Sequence, residues 1–131
     1  MAKKIWDENL SAQIQQLKAK AVVRAALFLW NDDLSQAHAL AQEIESSTGS
    51  LIHGIMHRRE PDYSNSQYWL RQVGAHPIFL NLMQEFPGWE PLRFIDLCAQ
   101  ATKNNTPQAQ HNLEILQSRE LELLTHYCLE L

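Results

Sequence analysis

Apolar positions along this chain recur three and four residues apart, and no stretch alternates apolar and polar like a half-buried strand. The pattern predicts six to seven helices. The first runs from about Leu10 to Leu29, with a bend or break near Lys18–Ala21. A turn at Asn31–Asp33 follows, where Asp33 suits an N-cap and Gln36 stands at the third helical position, as in a capping box. The next helix carries Leu34, Ala37, Ala41 and Ile44 on one stripe. Ser46-Ser47-Thr48-Gly49 ends it and caps another, whose apolar side is Leu51, Ile52, Ile55 and Met56. Pro61-Asp62 breaks that helix, and Asp62 caps one from Tyr63 to Val73, with Gly74 as its C-cap. Ile78, Phe79, Leu82 and Met83 mark a short helix, and Phe86-Pro87-Gly88 a turn. Pro91 opens a helix with Leu92, Ile95, Cys98 and Ala101. After the loop Lys103-Asn104-Asn105, Thr106-Pro107 caps a long final helix with Leu113, Leu116, Leu123 and Tyr127 on one side.

Val22–Ile44 aligns without gaps on Leu51–Val73, at an offset of 29 residues. Ala25 meets Gly54, Asp33 meets Asp62, and Leu34, Ala37, Ala41 and Ile44 meet Tyr63, Ser66, Leu70 and Val73. Each unit is a helix, a three-residue turn ending in Asp, and a second helix, with a small residue where the paired helix approaches. This is a tetratricopeptide-type hairpin pattern with a period shorter than the usual 34; two unrelated antiparallel hairpins are the alternative. The expected architecture is all-α: antiparallel helical hairpins in a tetratricopeptide-like array, closed by C-terminal helices, in one domain over residues 1–131. No linker or low-complexity segment divides the chain.

Composition narrows the function. At 131 residues, 45% hydrophobic and 20% charged, the chain has the balance of an ordinary globular domain. A formal charge of −4 argues against a phosphate-backbone binder, so no nucleic-acid partner is expected. Cys98 and Cys128 read as buried reduced thiols. The N-terminus lacks an apolar signal core, and the longest apolar run, Ala25–Trp30, is far too short to span a bilayer. No membrane partner and a cytoplasmic location are the expectations.

Eight polar residues crowd the 24 positions from His53 to His76: His53, His57, Arg58, Arg59, Glu60, Asp62, Asn65 and His76. At about 100° per residue, His53, His57 and Glu60 fall within roughly 60° of arc. Two His and a carboxylate so placed form a feasible divalent-metal set, with His76 or Asp62 as a further ligand. The bland readings stand beside it. His-x-x-x-His is common on helices and lacks the Glu of His-Glu-x-x-His; Asp62 is already explained as a cap, and two arginines adjoin the site. A hydrogen-bonded network joining the hairpins, or a small-anion or peptide site built on Arg58, Arg59 and Arg71, accounts for the same residues. Trp69 reads as core and Tyr68 as the wall of a groove. Arg59 falls near Ile52 and Ile55 on the apolar side, where it needs an anion; Asp96 is the expected partner, and Arg59 the more deeply placed arginine.

The same segment resembles a widespread, mainly bacterial family of helical proteins without an assigned activity. Its pattern is close to His-x-x-x-His-Arg-Arg-Glu-Gly-Asp-x-x-Asn-x-x-Tyr-Trp-x-x-Arg-x-Gly-x-His-Pro. The matching residues are His53, His57, Arg58, Arg59, Glu60, Asp62, Asn65, Tyr68, Trp69, Gly74, His76 and Pro77. Trp89-Glu90-Pro91, Phe94–Cys98 and Glu120–Cys128 resemble the family's continuation, so the likeness covers about residues 25 to 128. Pro61 stands where members have Gly, and Arg71 stands one position from theirs. The resemblance implies where a site lies and names no chemistry.

No Gly-rich phosphate loop, Gly-x-Ser-x-Gly or paired-Cys zinc motif occurs. The leading expectation is a non-enzymatic protein with a polar site over residues 53–77. It binds a protein, peptide or small ligand through His53, His57, Arg58, Arg59, Glu60, Asn65, Tyr68, Arg71 and His76. Its rival is a metal-dependent hydrolase or lyase using His53, His57 and Glu60; no cofactor is expected under the leading reading, and a divalent metal only under this rival.

Overall fold

Six helices start where a polar side chain satisfies backbone N–H groups that the first turn leaves unpaired. The computed structural model describes residues 4–131, which hold eight α-helices and no strand. Asp7 accepts from the N–H groups of Asn9 and Leu10 and opens α1 (Glu8–Gln16). Leu17 is extended, so the first expected helix breaks there and resumes as α2 (Ala21–Trp30). That break brings the number to eight. Asp33 caps α3 (Leu34–Ala41), Ser46 caps α4 (Ser47–Arg59), and Asp62 caps α5 (Tyr63–Arg71). His76 Nδ1 accepts from Ile78 N–H at the start of α6 (Pro77–Glu85). Glu90 caps α7 (Pro91–Asn104), which runs through the expected loop residues Lys103 and Asn104 and ends at Asn105 in the left-handed region. Thr106 precedes α8 (Pro107–Leu129) without a side-chain cap bond.

Helix α4 sits at the centre, packed against α2, α3 and α5. It is buried on every side, with Leu51, Ile52, Ile55 and Met56 in the core beside His53, His57 and Arg58. Helix α8 packs on α2, α6 and α7, and α5 packs on α7. Phe28, Leu29, Ile78, Leu82, Phe94, Ile95 and Leu124 complete one continuous core. The α4–α5 pair is close because residue 54 is glycine. A Cβ there would overlap Cγ and Cδ2 of Leu70, and Ser66 Oγ donates to the Gly54 carbonyl at 2.6 Å. Asn31 locks α1 onto the α2–α3 turn: its amide accepts from Asp7 N–H and donates to Asp7 O and Ser11 Oγ.

The arginines exchange the expected roles. Arg58 is the buried cation; its side chain is 1% exposed and its terminal nitrogens hold Glu120 of α8, whose side chain is 2% exposed. Gln117 accepts from the same guanidinium, and Phe94 lies 4.6 Å beneath it. Arg59 pairs with Asp32 in the α2–α3 turn at 2.5 Å and is 13% exposed. Asp96 is exposed on α7 and takes no part. A stripe reading of α4 misplaces these residues because a helix packed on all sides has no solvent face to orient it. Both cysteines are free and buried, as expected. Among the described residues, no helix is long and apolar enough to cross a membrane.

Candidate metal centre

One turn of α4 separates His53 from His57, and the packing of α3 on α4 brings a third imidazole, His38, against both. Ring centroids lie 5.0 Å apart for His38 and His53, 5.6 Å for His38 and His57, and 6.0 Å for His53 and His57. One ligand nitrogen from each of the three rings lies within 4.8 Å of the others. His53 and His57 are buried and His38 is half-buried.

Two of the rings are electronically set for ligation. His57 Nδ1 lies 2.6 Å from Glu60 Oε1. A carboxylate beside Nδ1 favours the neutral tautomer that carries its proton there and its lone pair on Nε2. His53 Nδ1 is buried and has no hydrogen-bond partner among the described residues. Burial, reinforced by the neighbouring His38 and His57, lowers the His53 pKa to about 4. His53 is therefore neutral at pH 7, the form that binds metals. Trp69 stacks on its face at 4.0 Å and 12°, with Tyr68 edge-on to the indole. If the rings served only as packing, a buried acceptor or donor on His53 would stand unsatisfied, an uncommon and unfavourable arrangement.

Space adjoins the cluster on both sides. A cavity of about 640 Å³ is lined by His38, His53 and Trp69 together with serine and glutamine side chains. Another, of about 330 Å³, is lined by His38, His57, Glu60, Asp32 and Asp33. The three-histidine group could hold a metal ion, and both cavities are lined by members of it. Glu60 and Asp62 form a second ligand group with His57. The Asp62 carboxylate is engaged in capping α5 and accepts from Asn65 Nδ2 at 2.7 Å, which holds its pKa down.

The other expected site residues are dispersed. Arg58 and Arg59 face away into the ion pairs described above. Asn65 is exposed and serves Asp62. Tyr68, 55% exposed, and Arg71 lie on the outer side of α5. His76 is buried with its Nε2 3.1 Å from Thr48 Oγ1 and its ring 4.6 Å from Tyr127, apart from the histidine cluster. His38 is the residue that sequence spacing misses. It stands 15 positions before His53 on another helix, and its only signal is its place beside Ala37 and Ala41 on the face that α3 turns to α4. Comparisons of the chain with protein-family models, curated proteins and solved structures give no match.

Proposed function

We propose that this chain is a ligand-binding helical protein whose ligand is a divalent transition metal ion, taken by His38, His53 and His57 with Glu60 orienting His57. The observation that carries this reading is the meeting of three imidazoles, one of them with a buried nitrogen left without a partner. Zinc–nitrogen distances of about 2.0–2.1 Å bring ligand nitrogens to roughly 3.3 Å from one another, so binding draws the rings together by on the order of an ångström. Imidazole ligands favour zinc, copper, iron and nickel over magnesium or calcium. The two hairpins α2–α3 and α4–α5, read as a tetratricopeptide-like pair, support the site by fixing α3 against α4; their capping residues Asp33 and Asp62 stand 29 positions apart.

A second reading, a metal-dependent hydrolase or lyase, is favoured by the cavity beside the cluster. Three protein ligands with an open position are the pattern of catalytic zinc, which lowers the pKa of a bound water to near 7.

Elemental analysis of protein purified without chelators, followed by zinc and cobalt(II) titration of the stripped protein, tests the proposal. One equivalent is expected to bind, with loss of binding in His38→Ala and His53→Phe and a roughly 10–100-fold weakening in Glu60→Gln. No saturable uptake of zinc, cobalt, manganese or iron, or uptake unchanged in His38→Ala, would overturn it. Ester hydrolysis rising in proportion to zinc occupancy separates the enzymatic reading from simple binding.

A further inference from the structure

Arg93 and Leu97 stand one turn apart on α7, and Asn112, Ile115 and Leu116 fall within one turn of α8. Together with the Phe86–Trp89 turn they line a cavity of about 420 Å³, apolar apart from Arg93 and Asn112. Leu97 is 40% exposed and Ile115 52%, although both are large aliphatic side chains. Trp89 is 9% exposed, and its ring packs on Phe79 at 5.6 Å and on Phe94 at 6.1 Å. Arg93 is exposed, and among the described residues no ion pair engages its guanidinium. Glu90, one turn before it, commits its carboxylate oxygens to the N–H groups of Leu92 and Arg93. Asn112 accepts from Gln108 Nε2 through its carbonyl oxygen at 3.1 Å, which leaves its amide nitrogen free to donate. No carboxylate is on the lining.

An apolar, partly aromatic lining with one or two polar groups is the form that small-ligand sites take, at volumes of roughly 300–1,000 Å³. The lining also says what fits. Trp89, Leu97 and Ile115 favour an apolar body, and an arginine without a carboxylate beside it favours one negative charge, best in the planar form that a guanidinium matches. A plain hydrocarbon leaves that cation unused, and a polyanion leaves the apolar walls uncovered. We propose that this groove binds a small amphipathic carboxylate, its alkyl or aryl body against Trp89, Leu97 and Ile115 and its carboxylate on Arg93, with the Asn112 amide as a second donor. A partner helix is a poorer fit, because it needs a row of apolar contacts over several turns, and each wall here is one turn long. This site shares no residue with the three-histidine group and does not depend on it.

Octanoate, titrated at fixed pH and ionic strength into ¹⁵N-labelled protein, is the probe, with octanol and acetate as controls. The Trp89 Nε1–H resonance is expected to shift saturably with one equivalent of octanoate and not to respond to acetate. Octanol is expected to bind roughly tenfold more weakly or worse, the loss of a charge-assisted hydrogen bond. Arg93→Gln, a change at an exposed position, is expected to bring octanoate down to the affinity of octanol. Octanol or acetate binding as well as octanoate, or undiminished octanoate binding by Arg93→Gln, would each overturn the proposal. So would octanoate shifts that do not saturate, which would leave the groove to a protein partner. The three titrations of the unsubstituted protein decide the matter even if the variant does not fold.

Discussion

Arg58 and Arg59 are adjacent in sequence and carry the same charge, yet their surroundings make them unequal. Arg58 is enclosed by Glu120, Gln117 and Phe94, whereas Arg59 spans a half-buried gap to Asp32. Removing one partner of a buried pair costs about 3–5 kcal/mol because the other charge is stranded. A partly exposed pair contributes about 1 kcal/mol or less. Arg58→Ala is therefore expected to destabilise the protein by several kcal/mol and Arg59→Ala by about one, measured by urea denaturation. The double change Arg58→Met with Glu120→Leu, which removes both charges and keeps apolar volume, is expected to recover much of the loss. Equal midpoints for the two alanine variants would show that Glu120 is satisfied without Arg58.

Helix α4 owes its position to Gly54, where α5 approaches until Leu70 fills the space a Cβ would need. Alanine is the better helix former by about 1 kcal/mol, so on propensity alone Gly54→Ala should stabilise. Overpacking of about 1–3 kcal/mol opposes this. The net expectation is a loss on the order of 1 kcal/mol in thermal or urea unfolding, smaller in a Leu70→Ala background, where the overlap is relieved. A gain in stability on Gly54→Ala alone would mean that α5 moves away freely. At this scale the sequence was most legible. Asp33, Ser46, Asp62 and Pro91 mark their helix boundaries because capping is local chemistry, whereas α5 ends at Arg71 with Gln72 as its C-cap, two residues before the left-handed Gly74 expected in that role. The pairing of His53, His57 and Glu60 on one helix is local too. Contacts between helices were not legible. His38, Asp32 and Glu120 reach α4 only through the register in which helices pack, and α4 has no polar face from which to infer that register.

Taken as a whole, the metal-free protein holds neutral imidazoles in its interior, which ties its stability to pH. His53 has a pKa of about 4 when folded, against 6.5 for an unhindered imidazole. The groups facing it are His38, His57 and Trp69. Burial lowers His76 in the same direction. As pH falls below 6.5 the unfolded chain takes up protons that the folded chain refuses, so stability declines until the folded pKa is reached. Unfolding midpoints of stripped protein are expected to fall between pH 7 and pH 5, and to fall less in His53→Phe. A flat profile over that range would show that His53 is protonated in the folded state.

The Arg58–Glu120 pair also has a consequence in time. Its partners stand 62 positions apart, so at about 5–20 residues per second the ribosome adds Glu120 roughly 3–12 s after Arg58. Paired helices close within microseconds to milliseconds, so α2 to α5 have ample opportunity to associate before α8 exists. Throughout that interval Arg58 of α4 lacks its counter-charge. The half-made chain is thus the form of this protein most open to aggregation and to capture by chaperones, and the arrival of α8 ends that exposure.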